Sequence, residues 1–597
     1  MNRPGVISNA WQAILRPRMT QADGATKRGR FANKGVGVEQ TTGGIARSAK
    51  KLFGDVLEPF GQRVFRRIWI ASLFSNFGML IGGVGAAWAM TELTGAADKI
   101  ALVQTASMAP TMILSLVAGA IADMYDRRKV VLCGLGIAFV GSSCLAALGL
   151  ARLVTPEVLL AFTFLTGCGM ALMSPAWQSS VSEQVPGEVL PQAIAMNGIS
   201  FNIARSFGPA IGGAIVAVAG AVAAFVANAL AYLPLLLVMA FWRRTLEASR
   251  LPPERLGRAV ESGFRYVVHS PRMRVILFRT LLIGLVGGAL QSLMPVIARD
   301  LLGGGPRTYG MMLGSFGVGA VAGSLNVSAV RQRLNGESIA RLGAVILASS
   351  LLVVALSRSP WLTAPALVAA GCVWTLSVTA FNIGLQLSTP RWVAGRALSL
   401  FQTAIAGGIA IGALGWGAVA QRSGVDTALL IASLLMLGTG ALGLWLKMPT
   451  DDGSNAEADE LAEPEVNLAL THRSGPVVVQ LEYRISAAQA RTFYDLMQAV
   501  QKTRQRNGAY DWSIARDIAD PELWTERFTC PTWLDYLRQR NRATQVERDI
   551  QDRARALHLG PEPLRIRRML ERPFGSVRWK DETPDRGGGG VLPTQGA

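Results

Sequence analysis

Charged side chains are scarce, at 17% of 597 residues. A soluble assembly of domains of this length needs more of them to solvate its surface. Histidine is scarcer still, with three in the chain, and His269, His472 and His558 all lie outside the long apolar runs. The five cysteines, Cys133, Cys144, Cys168, Cys372 and Cys530, have neither paired nor metal-like spacing, and four sit inside apolar stretches. A disulfide scaffold and a thiolate metal site are thereby excluded, leaving ordinary core thiols. No metal or cofactor is expected. The first 62 residues contain no apolar run and so no secretory signal.

Hydrophobic residues make up 50% of the chain, and the mean hydropathy is +0.32. The net charge of +19, from 59 Lys+Arg against 40 Asp+Glu, crowds into the tails and alternate loops. That placement suits anionic lipid headgroups and not nucleic acid. Apolar runs of about 20 residues, the length that crosses about 30 Å of hydrocarbon, fall near 66–90, 100–121, 130–151, 157–181, 192–218, 221–242, 274–298, 308–330, 339–357, 361–386, 394–420 and 425–447. The basic loops, Arg127 to Lys129, Arg243 to Arg274, Arg331 to Arg341, and Arg391 with Arg396, share one side. By the positive-inside rule both termini are cytoplasmic.

The halves echo one another: "SPAWQ" (Ser174 to Gln178) against "TAFNI" (Thr379 to Ile383), and "VPGEVLPQA" (Val185 to Ala193) against "TPRWVAGRA" (Thr389 to Ala397). Such an echo fits a duplicated six-span bundle. Between the halves, "ERLGRAVESGFRYVV" has helical periodicity but is too polar to cross. It is expected to lie along the cytoplasmic surface.

Between the second and third runs, Gly119 to Lys129 reads GAIADMYDRRK. Charges there must stay at the bilayer surface, since one at the centre costs roughly 2.5–3.5 kcal/mol on insertion scales. The loop resembles the signature of major facilitator superfamily transporters, through Gly119, Asp123, Arg128 and Lys129. Met124 stands where that family usually has a basic residue, and Asp126 where it has glycine. In the fifth run "ARSFGPAIGG" supplies Gly208, Pro209, Gly212 and Gly213, small residues that let helices approach and a proline that removes a backbone donor. This resembles the glycine-proline motif of that family's antiporters and exporters, with Ala195 and Ala204 in place of two upstream glycines. The arginine that drug/proton antiporters carry in the fourth span is replaced by Thr163, four residues before Gly167.

No carboxylate falls mid-run: Glu92, Asp123, Glu183 and Asp300 sit at run ends. Arg205, about a dozen residues into the fifth run, is a candidate anion anchor, because an intramembrane charge needs a partner or a wet cavity. A gate pair with Asp123 or Glu183 explains it equally. Arg279 is expected to snorkel to the inner surface. Asn76, Gln104, Asn228, Gln291, Trp374 and Asn382 are polar or aromatic positions in runs. Asn76, Gln291 and Trp374 lie in the first, seventh and tenth, which the resemblance makes cavity-lining. The substrate-binding set is therefore Asn76, Arg205, Gln291 and Trp374. The gating set is Gly119, Asp123, Arg128, Lys129, Glu183, Gly208 and Pro209.

Residues 1–62 read as a disordered basic extension, or as sequence upstream of a mis-assigned start, since family-like sequence begins near "VFRRIW" (Val64 to Trp69). After Lys447 an acidic linker (448–475) leads to a soluble segment, 476–575, and a tail, 576–597. Val477 to Ile485 alternates like a strand, "AAQARTFYDLMQAVQKTRQ" is helical, "AYDWSIARDI" and "LWTERFTC" read as strands, "TWLDYLRQRNRATQVERDIQDRARAL" as one helix and "PLRIRRMLE" as a last strand. The order suggests a ferredoxin-like domain. Gly508 to Thr544 is similar to the antibiotic-biosynthesis-monooxygenase type, and a domain of that type behind twelve spans resembles the transmembrane secretion effector branch. Trp512, Trp533, Tyr536 and Arg540 form a pocket if the domain is an enzyme. A regulatory or dimerising module is favoured, since fold analogy confers no chemistry.

The expected fold is thus an all-α membrane protein, twelve transmembrane helices in two six-helix bundles (63–242 and 274–447, joined by 243–273), followed by a small α+β ferredoxin-like domain. The expected function is inner-membrane export of a small hydrophobic or siderophore-like molecule by alternating access. The expected partners are a small-molecule substrate, membrane lipid and, through the C-terminal domain, a second copy. A transporter-enzyme fusion and a transporter-like sensor are the alternatives.

Overall fold

Each apolar run forms a helix because, without water, its backbone groups must be paired within the segment. The computed structural model describes residues 58–242, 264–390, 393–449, 463–468, 470–560 and 562–571, with only the backbone of Asp123. The extension before residue 58, most of the connector, Arg391 and the tail lie outside these residues. Among them, eleven helices are long and apolar enough to cross a bilayer: α1 (Arg63–Thr94), α2 (Ala97–Met124), α3 (Arg127–Leu150), α4 (Pro156–Ser180), α5 (Leu190–Phe241), α6 (Pro271–Val296), α7 (Pro306–Arg333), α8 (Gly336–Leu356), α9 (Pro360–Leu387), α10 (Ala394–Ser423) and α11 (Val425–Leu442). Local chemistry sets the ends. Asp126 caps α3 by accepting from the Arg128 N–H at 3.0 Å, Asn335 caps α8 through Ser338 at 2.8 Å, and Gly95 closes α1 at φ 64°.

Helix α5 is 52 residues long, and Gly220 interrupts it at φ 77°, ψ 171°, a region that only glycine occupies readily. Before Gly220 the chain runs with α1: Gly208 faces Phe77 and Leu80, and Gly212 faces Ile81 and Val84. After it the direction reverses: Gly85 of α1 faces Ala224 and Phe225, Gly82 faces Asn228, and Gly78 faces Ala231. The chain therefore turns back at Gly220. The fifth and sixth apolar runs lie on either side of it.

Arg279 does not snorkel. It is 4% exposed, donates to Glu337 at 2.5 Å and to the Leu446 carbonyl at 3.0 Å, and lies over the Phe381 ring. Glu337 also takes Arg341 at 2.7 Å and the Met448 N–H at 2.8 Å. A buried cation cannot reach water, so it is answered where it stands.

The C-terminal segment is a separate core. Strands β1 (Val477–Arg484), β2 (Tyr510–Arg516), β3 (Leu523–Cys530) and β4 (Arg565–Leu570) form one sheet in the order β2-β3-β1-β4, with every pair antiparallel. Helices α12 (Ala490–Arg506), α13 (Trp533–Asn541) and α14 (Gln545–Ala556) accompany it. Alternation along β1 turns Val477, Val479, Leu481 and Tyr483 toward Phe493, Met497 and Phe528. The single long helix expected after Thr532 is two, because Thr544 and Glu547 make a reciprocal capping box that starts α14 afresh. Trp533 and Tyr536 are 3% exposed core residues, Arg540 lies over the Tyr536 ring, and Trp512 donates to Glu526 at 3.1 Å. These four pack as core and rim. Glu526 is fully buried and also accepts from Arg504 and Tyr483, each at 3.1 Å. Burial, with the Glu526 charge second, raises the Tyr483 phenol; burial pushes the Cys530 thiol up to about 12.

This domain grips the connector. Residues 264–268 are helical, Tyr266 is 2% exposed, and the Arg506 guanidinium sits 5.5 Å from its ring centre while pairing with Glu547.

Removing one partner of a buried ion pair leaves a charge unanswered, at about 3–5 kcal/mol. Glu337→Gln is expected to lower the thermal midpoint of the detergent-purified protein and expose the α6–α8–α11 junction to proteolysis. An unchanged midpoint would show that Arg279 finds another acceptor.

Candidate functional site

A cavity of about 1100 Å³ lies between the two helical halves. From the first half it takes residues of α1, α2, α3, α4 and α5; from the second, residues of α6, α7 and α10. The halves meet at the end that carries the 95–96 turn: Arg299 donates to the Gly95 carbonyl at 2.8 Å, Gln421 accepts from the Ala97 N–H at 2.7 Å, and Trp88 stacks on Tyr309 with centroids 6.3 Å apart. Just below, a Cβ at Gly213 would stand 2.7 Å from the Gly310 Cα. Only glycine allows that crossing. The α5–α7 contact continues to Arg205 and Gly317, and beyond it Gly319 and Gly323 face Val368 and Cys372 of α9 in their own half. The cavity runs on to the end carrying the 125–126 turn, where Ser179, Val181, Ile194 and Arg396 line it.

Arg205 and Arg396 are the charged residues on this wall, and no carboxylate lines it among the described residues. The Arg205 guanidinium lies over the Phe316 ring, 5.8 Å from its centre, which joins a residue of the first half to one of the second. No carboxylate among the described residues pairs with it. Asn76, which donates to the Ser200 hydroxyl at 3.3 Å, and Gln291 also line the cavity, as do Gln104 and Asn228.

Trp374 is brought elsewhere. It is 6% exposed, and its ring presses on Gly287, inside the second half. A tryptophan in an apolar run looks alike whether it faces a cavity or a glycine on the next helix. Asn382 pairs with Gln386 on its own helix.

Of the gating set, Gly119 and Pro209 line the cavity, and Gly119 abuts Ser399 of α10. Gly208 is the α1 contact described above. Arg128 donates to the Met239 carbonyl at 2.9 Å and to that of Ala240, answering the negative end of α5. Lys129 is exposed. Glu183 accepts from Arg127 at 2.9 Å, and Arg127 also donates to the Ser179 carbonyl at 3.0 Å, so this pair ties α3 to the end of α4 within one half. The Asp123 side chain lies outside those described. Thr163, where an arginine was absent, donates to the Leu159 carbonyl at 2.7 Å and lines the cavity. Residues 55–574 match the family model described as transmembrane secretion effector.

The chain belongs to the transmembrane secretion effector family of major facilitator transporters. It is similar to the staphyloferrin A transporter of Staphylococcus aureus (25% identical over 295 residues, 48% of this chain and 73% of that one). It is similar to the multidrug efflux pump Tap of Mycolicibacterium fortuitum (23% over 391 residues, 64% and 94%) and to the enterobactin exporter EntS of Escherichia coli O1:K1 / APEC (27% over 406 residues, 62% and 91%). Its fold resembles that of the nucleoside transporter NupG (TM-score 0.53, 12% identity, 64% of this chain and 100% of that one). A bacterial homologue of the lysosomal transporter Spinster is alike at TM-score 0.52 (12%, 65% and 97%). This protein is a multi-pass membrane transporter, not an enzyme.

A side chain at Gly310 would collide with Gly213 and the Pro209 carbonyl. Gly310→Val is expected to loosen the closed end, so that a cysteine placed at Tyr309 reacts several-fold faster with a membrane-impermeant maleimide from that side. Unaltered reactivity would mean that another contact holds the closure.

Proposed function

We propose that this transporter exports a small organic anion of siderophore or drug-like type by rocking its halves about the central cavity. The observation that carries the reading is Arg205: a permanent cation on a cavity wall without a carboxylate among the described residues. A guanidinium held there recognises a carboxylate, sulfonate or phenolate. The compounds named for two relatives, a staphyloferrin A transporter and an enterobactin exporter, are the kind of small molecule that this reading assigns to the cavity.

In this reading the chain crosses a bacterial inner membrane twelve times, with α5 counted twice across Gly220, and both termini are cytoplasmic. The 125–126 end then faces the cytoplasm, and the cavity reaches that side. Asn76 and Gln291 bind beside Arg205, while Trp374 supports the wall from behind. Gly119, Asp123, Arg128, Lys129 and Glu183 set the inner gate, and Gly208 and Pro209 the bend beside it. Membrane lipid meets the basic loops. The strand order of the C-terminal sheet supports a ferredoxin-like domain of the antibiotic-biosynthesis-monooxygenase type that regulates transport or pairs two copies.

Arg205→Gln is expected to abolish transport of an anionic cargo in proteoliposomes while a neutral analogue is still carried. Equal loss of both cargoes would make the arginine structural and overturn the reading.

A further inference from the structure

We propose that Phe316 is a positioning residue for cargo recognition: its ring, from the second half, holds the Arg205 guanidinium of the first without neutralising it, and the anionic group of the cargo completes the arrangement. This rests on the reading of Arg205 as the anion anchor. The guanidinium lies 5.8 Å from the centre of the Phe316 ring, and among the described residues no hydrogen bond or ion pair engages it. A ring face attracts a cation through its quadrupole but carries no net charge. The positive charge of Arg205 therefore stays available. Arg279 is the completed counterpart. Its guanidinium also lies over a phenylalanine ring, that of Phe381, at 5.4 Å, and there the Glu337 carboxylate accepts its hydrogen bond. Those three residues belong to one half. At Arg205 the ring is present, the guanidinium borders the cavity, and the carboxylate is the part that a cargo brings, accepting the parallel N–H bonds that a planar guanidinium offers.

Packing fixes the place of the ring. Helices α5 and α7 run in contact from Gly213 and Gly310 to Arg205 and Gly317, where a Cβ on Gly317 would stand 2.5 Å from the Arg205 carbonyl oxygen. On the other side of α7, Gly371 of α9 lies against the Phe316 carbonyl, and Phe316 is 6% exposed. The ring therefore belongs to the second half and has little room to turn away. Arg205, about one turn before the contact of Gly208 with Leu80 of α1, belongs to the first. It is half-buried, so an anion in the cavity meets the guanidinium and not the ring. The bound anion is then held by a cation that both halves position.

The probes are 2-naphthoate and its neutral isostere 2-naphthamide, measured by equilibrium dialysis against the full-length protein in nanodiscs, with empty nanodiscs as the blank. The unsubstituted protein is expected to favour the naphthoate by about tenfold, the worth of one charge-assisted contact. Phe316→Leu should weaken naphthoate binding by about fivefold and leave naphthamide unchanged, whereas Phe316→Tyr, which keeps a ring face, should bind naphthoate as the unsubstituted protein does. Phe316→Glu should erase the preference, because its carboxylate takes the place of the cargo's. Phe316→Ile serves if the leucine variant fails to fold. A preference that is undiminished in Phe316→Leu, or that survives Phe316→Glu, while Arg205→Gln erases it overturns the inference and leaves the Arg205 reading standing. Equal weakening of both probes in Phe316→Leu, or a tyrosine variant as weak as the leucine one, marks the ring as packing and overturns the inference in the same way. A preference that survives Arg205→Gln, or that the unsubstituted protein lacks, overturns the Arg205 reading and this inference with it.

Discussion

A cation that never loses its charge stands on the wall of a cavity between two apolar bundles, and the proposed function rests on its place there. Arg205 is placed by the glycine crossings of α5 and α7, which bring its backbone against Gly317 and its guanidinium over Phe316. Arg279 shows the alternative: the same side chain, buried by α6 and α11, is fully engaged by Glu337 and the Leu446 carbonyl. One arginine is spent on holding helices together. The other is left facing the cavity, which is what a carrier of anions needs.

Elements were more legible in the sequence than contacts. Local patterns decide where helices and strands form, so β3 spans the expected Leu523–Cys530, and helix covers most of every apolar run. The second helix of the C-terminal domain was misread because "NRAT" continues the helical periodicity, while the Thr544–Glu547 capping box ends it. At the site, Asn76 and Gln291 could be placed on the cavity from span number, and Arg205 from its charge within an apolar run. Trp374 could not, since its neighbour Gly287 lies far away in sequence. Glu337 was missed for the same reason: it reads as a loop-end acid until Arg279 is seen to reach it.

The C-terminal domain joins this account through Tyr266. Its ring is buried under Arg506, and the connector that carries it links α5 to α6, hence one half of the transporter to the other. If the halves rock as proposed, the connector held beside the Arg506–Glu547 pair lies between the parts that move.

The central claim is that the cavity opens alternately at its two ends. Pulsed electron spin resonance distances between labels at Tyr125 and Arg333, at the 125–126 end, and between labels at Leu153 and Arg422, at the opposite end, test it most directly. With an anionic cargo and an imposed gradient, the account predicts that the first distance shortens as the second lengthens. Distances that stay fixed, or that change together, would contradict it.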